Sequence, residues 1–421
     1  MNRRREIVAA ASRPADIRID AERLWESLMQ MAKIGATPKG GVKRLTLTDL
    51  DRQGRDLFVS WCKAAGLSVS VDGVGSIFAR RRGRNNAAPP VVSGSHLDTQ
   101  PSGGRFDGCY GVMAALEVAR TLNDRGIETE VPFEVAMWTN EEGSRFLPVM
   151  GASGAFAGVH TVQEIRAARD SEGISFGDAL DAIGYAGAAS VGGRPLAAYF
   201  EAHIEQGPLL ENTGNTVGVV TGALGQRWFE VTVTGMDAHA GPTPMHLRRD
   251  ALFGASFLIQ EVNRLGKATE HARGTVGMIV NRPNSRNVVP GETVFSVDFR
   301  DTAVAGLDRM EQGLRAAAAR ISQEHGLQIE IRQTVFFPPC HFDQACVDAV
   351  RAAAAGLGYR HMDIVSGAGH DAVYVAGVAP TAMIFVPCEG GISHNEIENA
   401  KPEDLAAGCN VLLQAVLAKA G

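Results

Sequence analysis

Residues 91–122 have the sequence VVSGSHLDTQPSGGRFDGCYGVMAALEVARTL, in which an apolar run leads through a glycine-rich loop into a helix-forming segment. The run through Val91 and Val92 predicts a strand, and the segment 111–122 predicts a helix. Apolar runs at 131–139 and 196–204 predict further strands. Because strands and helices alternate in this way, the sequence predicts an α/β sheet covered by helices.

The C-terminal part of the chain returns to the same pattern. It predicts a helix at 347–357, an apolar strand at 379–387 and a closing helix at 402–420 that has Pro402 in its first turn. One domain is therefore expected to be built from both ends of the chain.

The middle of the chain has a different pattern, in the order β-α-β-β-α-β. Residues 227–235 alternate like a half-exposed strand, and the segments that follow are predicted as a helix at 248–265, strands at 275–280 and 293–301, a helix at 306–324 and a strand at 327–335. This order is typical of a ferredoxin-like split unit. We expect residues 225–337 to form an inserted α+β domain, and residues 1–224 with 338–421 to form the other, discontinuous domain.

Composition excludes several classes of protein. The 421 residues carry a net charge of −6, so the basic excess with which nucleic-acid-binding proteins neutralise phosphates is missing. No run of about 18 apolar residues occurs, which argues against a membrane span. The basic N-terminus resembles the start of a signal peptide, but Arg13, Pro14 and Asp16 interrupt its apolar run, so a cytoplasmic protein is expected. The six cysteines are scattered and are expected to be free thiols.

Polar residues follow the strand through Val91. His96 and Asp98 lie in the glycine-rich loop, and Asp107 comes just before the helix. Imidazole and carboxylate together suit zinc, manganese, cobalt or nickel. Asp98 stands two positions after His96 in an extended chain, so its carboxylate is predicted to hold the second ring nitrogen of His96. Taken alone, however, such a triplet more often marks a polar turn.

Further candidate ligands follow other strands. Glu141 and Glu142 end an apolar strand as adjacent carboxylates, so one is able to bind a metal while the other moves protons. His203 follows a second strand, and His394 lies in a glycine-rich loop after a third. Each of these residues is more often structural when it is taken alone. Together they fall at the carboxyl ends of predicted strands, where open α/β sheets bind ligands.

These motifs resemble those of the carboxypeptidase/aminoacylase-like two-metal hydrolases. Within that group they resemble the hydantoinase/carbamoylase branch, which comprises N-carbamoyl-L-amino-acid hydrolases, β-ureidopropionases and allantoate amidohydrolases. The resemblance covers nearly the whole chain and rests on the ordered motifs GSHLDTQPSGGRFDG, TNEEGSRF, EAHIEQGP, GMDAHAGPTPM, RNVVPGE, VDFRD, SGAGHDA and GISHNE. It implies a two-metal exopeptidase-like catalytic domain with an inserted ferredoxin-like dimerisation (lid) domain.

The resemblance also implies two divalent ions per subunit (Zn, Mn, Co or Ni). The implied ligand sets are His96, Asp107 and His203 for one ion, and Asp107, Glu142 and His394 for the other. Asp107 is then the bridging ligand, and Asp98 supports His96 from behind. The neighbouring Glu141 is implied as the general base.

The remaining implied groups bind or stabilise the substrate. His239 is implied to reach the active site of a dimer partner and to stabilise the oxyanion, which requires at least a homodimer. Arg300 offers a planar fork for a substrate carboxylate, and Asn287 offers an amide beside it. Without the surrounding motifs, Arg300 is more simply a surface cation at a strand end. Gln206 is a mark of this branch and is implied to bind the ureido or carboxylate end.

Two residues near these motifs have simpler interpretations. SGAGHDA (366–372) places small residues before a helix, so its backbone N–H groups could cradle an anion. His370 within it is expected to cap or orient that loop. Cys109 is expected to be a small buried packing residue, because no base is placed beside it by the sequence.

The implied reaction is hydrolysis of an N-carbamoyl-L-amino acid or N-carbamoyl-β-alanine to the amino acid, carbon dioxide and ammonia. Glu141 would take a proton from the attacking water and pass it to the leaving amine. An allantoate amidohydrolase is one alternative, and a dipeptidase or aminoacylase on the same scaffold is another. A non-catalytic metal-binding scaffold is disfavoured because the base and all five ligands are present.

Overall fold

The computed structural model describes residues 17–421. The interrupted apolar run around Arg13, Pro14 and Asp16 lies outside the described residues. The described chain forms two compact units, of which one contains residues 17–221 with 342–421 and the other contains residues 222–341.

Strands and helices alternate through much of the described chain. The strands are β1 (Ser68–Val71), β2 (Ile77–Arg81), β3 (Val91–His96), β4 (Phe133–Trp138), β5 (Ala198–Ile204), β6 (Val217–Ala223), β7 (Gly225–Thr234), β8 (Ala238–His239), β9 (Arg273–Thr275), β10 (Ile279–Arg282), β11 (Val288–Val289), β12 (Glu292–Asp301), β13 (Gln328–Phe337), β14 (Cys340–His341), β15 (His361–Ser366) and β16 (Thr381–Val386). The α-helices are α1 (Ala21–Met31), α2 (Asp49–Ala64), α3 (Cys109–Asp124), α4 (Gly151–Phe156), α5 (Val162–Ala167), α6 (Phe176–Ala182), α7 (Leu209–Thr213), α8 (Ala251–Gly266), α9 (Val304–His325), α10 (Gln344–Gly356), α11 (Asp371–Val375) and α12 (Pro402–Ala420). None of the helices in the described range is both long and apolar enough to cross a membrane.

The first unit is built on a mixed sheet with the strand order β1-β2-β4-β3-β5-β16-β6, and β15 pairs with β6. The centre of the sheet is parallel, because β3 pairs in parallel with β4 and β5, and β5 pairs in parallel with β16. These four strands are buried along their whole length, as expected for parallel strands that are covered on both faces. Their carboxyl ends therefore lie at one edge of the sheet.

Two helices of the first unit confirm predictions from the sequence. α3 spans Cys109–Asp124 around the predicted helix, and it packs against β3. α12 spans Pro402–Ala420 and packs against α3 and β16. Pro402 occupies the first helical position, where its missing N–H would have had no partner within the helix.

The second unit contains an antiparallel sheet with the order β10-β12-β7-β13, and β9 pairs beside β12. Along β7, the alternating residues Phe229, Val231 and Val233 are buried in a core shared with apolar residues of α8 and α9. The predicted β-α-β-β-α-β order is confirmed, and the strand order is that of a ferredoxin-like unit.

The prediction of one continuous strand at 275–280 is wrong. β9 ends at Thr275, which lies opposite Asp298, while β10 begins at Ile279, which lies opposite Phe295. The four steps along the chain from Thr275 to Ile279 thus lie opposite only three steps along β12, from Asp298 to Phe295. The segment between β9 and β10 therefore contains one extra residue, as in a β-bulge. Met278 fills the irregular position, since its carbonyl accepts from the backbone N–H of Ser296.

Candidate metal centre and active site

The parallel strands bring the predicted ligands to one edge of the sheet in the first unit. His96 is the last residue of β3, and His203 is the penultimate residue of β5. Glu141 and Glu142 follow β4 by a few residues, and His394 follows β16. Their position at the carboxyl ends of parallel strands agrees with the general location of ligand sites in open α/β sheets.

One group of possible metal donors consists of His96, Asp107 and His203. One donor atom from each residue lies within 4.8 Å of those of the other two. The Nε2 atoms of His96 and His203 lie 3.8 and 3.2 Å from Oδ1 of Asp107. All three side chains are buried. The structure thus brings together the three residues that the sequence predicts for one ion.

A second group consists of Asp107, Glu142 and His394, whose donor atoms also lie within 4.8 Å of one another. Nε2 of His394 lies 3.3 Å from Oδ2 of Asp107 and 3.4 Å from Oε2 of Glu142. The two groups therefore use different oxygens of Asp107. This is the geometry expected of a carboxylate that bridges two cations.

Both buried histidines present the nitrogen that a metal would need. Nδ1 of His96 lies 2.9 Å from the carbonyl oxygen of Asp98, and Nδ1 of His203 lies 2.9 Å from the carbonyl oxygen of Ile204. A carbonyl only accepts, so in a neutral ring each Nδ1 carries the hydrogen and each Nε2 carries the lone pair, which in His203 accepts the backbone N–H of Gly108 at 3.2 Å. Such support is typical of ligating histidines.

The predicted contact between the Asp98 carboxylate and the His96 ring is wrong in its atoms. The carboxylate oxygen Oδ1 lies 3.9 Å from Nδ1 of His96, whereas the backbone carbonyl of the same residue is at 2.9 Å. The two carboxylate oxygens instead accept the backbone N–H groups of Glu141 and Glu142, each at 3.3 Å. Asp98 therefore fixes the turn that carries both glutamates, because its two carboxylate oxygens accept the backbone N–H groups of that turn.

The charges in the first unit fit divalent cations. Among the described residues, the ion pairs of Asp107, Glu141 and Glu142 are all with histidines. Burial raises the pKa of Glu141 and Glu142 well above the usual range, and repulsion by neighbouring carboxylates adds to it. Buried carboxylates without a compensating cation are costly. The mixture of imidazole and carboxylate donors suits zinc, manganese, cobalt or nickel.

The histidines respond to the same charges in different ways. Burial lowers the pKa of His96 to about 4. Burial also opposes protonation of His203, but hydrogen bonding to Asp107 and its charge overcome this and raise the pKa of His203 to about 9. A cation bound to Asp107 would neutralise the charge that favours protonation of His203. The ring of His203 would then lose its extra proton, as a ligating imidazole must.

Glu141 lies beside the first group of donors without belonging to it. Its Oε2 is 3.6 Å from Nε2 of His96, and its side chain is about one-tenth exposed. Glu142 faces the second group, where its two carboxylate oxygens accept from the backbone N–H and the side-chain amide of Gln100, at 3.1 and 2.6 Å. The adjacent glutamates therefore diverge as predicted, and only one of them belongs to a donor group.

Gln206 lies against the bridging carboxylate. Its Nε2 donates to Oδ2 of Asp107 at 3.0 Å and lies 3.3 Å from Oγ of Ser393. Its backbone has a φ of 58°, in the left-handed region. Its Oε1 is buried and accepts no hydrogen bond from the described residues. The amide thus offers one free acceptor beside the metal centre.

The other predicted substrate-binding residues lie in the second unit. His239 in β8 pairs with Val288 in β11, and the carbonyl of Asn287 accepts from the N–H of Ala240, so His239 and Asn287 lie on adjoining chain segments. Arg300 in β12 donates from Nη2 to Oδ2 of Asp298 at 2.8 Å. This contact holds the guanidinium at the end of its strand.

Cys109 and His370 are both buried. The side chain of His370 makes no cap hydrogen bond to α11, and a donor atom of His370 lies within 4.8 Å of donors of Glu201 and His203, so these three form a further possible metal-binding group. Nε2 of His370 lies 2.9 Å from Oγ of Ser366, and its ring centroid is 4.6 Å from that of His203. The N–H of Ala372, in the predicted anion-binding loop, donates to the buried carboxylate of Glu201 at 2.9 Å. In this structure the loop therefore binds an anionic side chain of the protein itself.

Sequence reasoning missed several buried acids around the centre. Glu201 precedes His203 by two positions on β5 and accepts from Oγ of Ser95 at 2.6 Å. Asp371 is buried at the start of α11. Glu398 follows His394 by four positions and is also buried. The spacing of Glu201 and His203 was an available signal, because alternate residues of a strand share a face.

We expect Gly108→Ala to remove the ion at the group of His96. Gly108 has a φ of 64°, and a Cβ there would lie 2.3 Å from Cε1 and Nε2 of the His96 ring. The matched control is Gly126→Ala, whose φ is 60° but whose Cβ would meet nothing within 4 Å. Both positions have a positive φ, which strains any L side chain, so the control carries backbone strain without the contact with His96. Bound manganese per chain, measured by elemental analysis, should fall only for Gly108→Ala, and equal losses would contradict the assignment.

Comparison with protein-family models matches residues 92–418 to the family described as "Peptidase family M20/M25/M40". Among solved structures, an amidase of the hydantoinase/carbamoylase family from Burkholderia multivorans is 59% identical to this chain, with a TM-score of 0.94. The match covers 96% of this chain and 98% of that one. The chain belongs to the M20/M25/M40 peptidase family, in its hydantoinase/carbamoylase branch. Members of this family are metal-dependent hydrolases.

The relatives include two kinds of amidohydrolase by name. The N-carbamoyl-L-amino-acid amidohydrolase of Rhizobium meliloti is 51% identical over 401 residues, covering 95% of this chain and 96% of the relative. The allantoate amidohydrolase of Escherichia coli K12 is 35% identical over 395 residues, covering 92% and 95%. The family resemblance inferred from the motifs is therefore confirmed across almost the whole chain.

Proposed function

We propose that this chain is a metal-dependent amidohydrolase that removes the carbamoyl group from N-carbamoyl-L-amino acids, giving the amino acid, carbon dioxide and ammonia. The observation that carries the proposal is a pair of donor groups that share Asp107, with the unligated Glu141 beside them. The relative that is 51% identical bears the name of this activity. N-carbamoyl-β-alanine, which also joins a ureido group to a carboxylate, is included in the proposed substrate class.

Two divalent cations complete the proposed site. His96, Asp107 and His203 would hold one, while Asp107, Glu142 and His394 would hold the other. Such cations lower the pKa of a water and polarise the carbonyl oxygen under attack. Zinc, manganese, cobalt and nickel all suit these donors.

Glu141 is the proposed general base. Its carboxylate stands free of both donor groups, so it is available to accept a proton from water and to pass that proton to the leaving amine. Its buried, acid-rich surroundings raise its pKa and thereby its affinity for the proton. A raised pKa suits a group that must both take and return a proton near neutral pH.

Gln206 is proposed to bind the ureido end of the substrate. Its Nε2 is committed to Asp107, while its buried Oε1 has no donor among the described residues. An N–H of the ureido group would satisfy that acceptor, which would otherwise be buried at a cost. The amide would therefore align the scissile carbonyl with the bridging carboxylate.

We propose that the enzyme is a homodimer in which His239 of the partner subunit stabilises the oxyanion. Support comes from β10, an edge strand that exposes the apolar residues Ile279 and Val280, with the exposed Met278 just before it. An exposed edge of this kind offers unpaired backbone groups for strand pairing with another chain. The proposed domain boundaries are 1–224 with 338–421 for the catalytic domain and 225–337 for the dimerisation and lid domain. A cytoplasmic location is proposed because the six cysteines are thiols and form no disulfide among the described residues.

Arg300 is proposed to bind the substrate carboxylate, with Asn287 beside it. We expect Arg300→Lys to raise KM about 10–100-fold, because an ammonium does not reproduce the planar fork and a charged hydrogen bond is lost. Arg332→Lys is the control, since Arg332 also pairs with an acid on the same sheet, at 2.7 Å from Glu230. Steady-state kinetics on an N-carbamoyl-L-amino acid provide the measurement. Equal KM values for Arg300→Lys and wild type would remove this assignment.

The decisive test of the function is a comparison of substrates. Purified protein supplied with manganese is incubated with several N-carbamoyl-L-amino acids, N-carbamoyl-β-alanine, allantoate and a dipeptide, with a chelated sample as control. Equal release of ammonia and free amino acid from a carbamoyl substrate supports the proposal. Release from allantoate alone favours the alternative suggested by the 35% identical relative. Cleavage of the dipeptide alone would show that the chain is a peptidase and not a carbamoylase.

A further inference from the structure

The carboxylate of Glu398 joins two loops that carry proposed metal ligands. Its Oε1 accepts the backbone N–H groups of Phe106 and Asp107, at 2.9 and 3.2 Å. Its Oε2 lies 2.9 Å from Oγ of Ser393, one residue before His394, and the same hydroxyl lies 3.1 Å from Oδ2 of Asp107. The side chain is about 1% exposed. One buried carboxyl group therefore connects the loop before α3 with the loop after β16.

The two loops also pack closely at this point. A Cβ on Gly104 would lie 2.1 Å from Oε1 of Glu398 and 2.5 Å from its Cβ, so the glycine allows the backbone to lie directly against the carboxyl group. Arg105 adds a second connection through its Nη2, which donates to Oδ1 of Asn399 at 2.6 Å. Segments that are nearly 300 positions apart in sequence are thus held together.

The proposed ligands do not depend equally on these loops. His96 and His203 stand on buried strands of the parallel sheet, whose ladder fixes their position. His394 stands on a loop, its backbone has a φ of 54°, and about half of its side chain is exposed. The group of Asp107, Glu142 and His394 therefore requires that two loops keep a fixed relative position.

We propose that Glu398 is a positioning residue that sets the affinity of this second donor group for its ion. The proposal rests on the proposed two-metal function. Glu398 holds the backbone at Asp107 and, through Ser393, the backbone beside His394. It belongs to neither of the two proposed donor groups, so its effect is exerted through these residues. Outer residues of this kind typically change metal affinity about 10–100-fold.

The test is calorimetric titration of chelator-stripped protein with manganese. Wild type is expected to bind two ions. Glu398→Ala should retain one ion at near wild-type affinity and bind the other about 10–100-fold more weakly. Glu398→Asp keeps the charge in a shorter side chain that does not span both loops, so it should show the same selective loss and carries the test if the alanine variant fails to fold.

Glu398→Gln supplies the rescue. Its amide oxygen still accepts two N–H groups and its amide N–H donates to Oγ of Ser393, so the affinity for the second ion should return to within a few-fold of wild type. Glu117→Ala is the control for loss of a buried carboxylate, because Glu117 binds Arg23 at 2.7 Å and contacts no proposed ligand. It should bind both ions normally.

Several outcomes would overturn the proposal. These are unchanged binding of both ions by Glu398→Asp, an equal loss at both sites, or the same loss in Glu117→Ala. The outcome for the overall function is separate from these. A wild-type protein that binds two ions but releases no ammonia from carbamoyl substrates would refute the function and leave the role of Glu398 standing.

Discussion

Glu141→Gln is expected to lower kcat by about 10²–10⁴-fold while the protein keeps both metal ions. Glutamine has nearly the shape of glutamate but does not accept a proton at neutral pH, so the change removes only the proton transfer. The side chain belongs to neither donor group, and Glu142 carries the ligand role beside it. Turnover of an N-carbamoyl-L-amino acid and manganese content of the same preparation measure the two effects.

Glu134→Gln is the matched control for this prediction. Glu134 is also a buried carboxylate and lies on β4, but it pairs with Arg80 and Arg194 and does not lie beside any proposed metal ligand. Its replacement should lower stability and leave kcat nearly unchanged. Retention of most activity by Glu141→Gln would remove Glu141 as the base, and a loss of manganese would make it a ligand.

Asp107→Ala is expected to abolish binding of both ions and, with them, activity. Asp107 is the one residue present in both donor groups, and its two oxygens face different histidines. Hydrogen bonds from His203 and His394 outweigh its burial and hold the pKa of its carboxyl group well below the usual range, so it is ionised and ready to bind cations. The loss should exceed the roughly 10–100-fold effect of changing an outer residue.

Two variants with smaller expected losses of bound metal serve as controls for Asp107→Ala. His394→Ala removes a ligand of one group only, so this variant should retain one manganese ion per chain. Asp98→Asn changes a carboxylate that holds the backbone of Glu141 and Glu142, so it should weaken binding without abolishing it. Asp107→Ala protein that still binds one ion tightly would show that the two groups do not share this residue.

The sequence pattern predicted the layout of the fold and placed the candidate ligands at one edge of the sheet, and the family resemblance implied that His96, Asp107, His203, Glu142 and His394 are the ligands. These residues carry strong signals, because chemically distinctive side chains follow buried apolar strands at the positions where parallel sheets bind ligands. The β-α-β-β-α-β order was equally predictable, since the apolar residues of each segment recur with the period of a helix or a strand. Local periodicity and residue chemistry therefore predict the fold and the place of the site, and the family resemblance implies which residues bind which ion.

Other features depend on contacts that a sequence does not record. The backbone carbonyl of Asp98 supports His96 where its carboxylate was expected, because residue type gives no indication of which atom faces a ring. The break between Thr275 and Ile279 arises from one extra residue in the ladder, a matter of register with the partner strand. Glu398 and Asp371 were missed because acidic side chains are usually exposed, and their burial appears only when distant loops come together.

The most direct test of the central claim is recovery of activity by chelator-stripped protein as manganese is added. Ammonia release from an N-carbamoyl-L-amino acid is followed against the number of ions bound per chain. The proposed site predicts no activity in the stripped protein and a plateau at two bound ions. Full activity in the presence of chelator, or a plateau reached without bound ions, would contradict it.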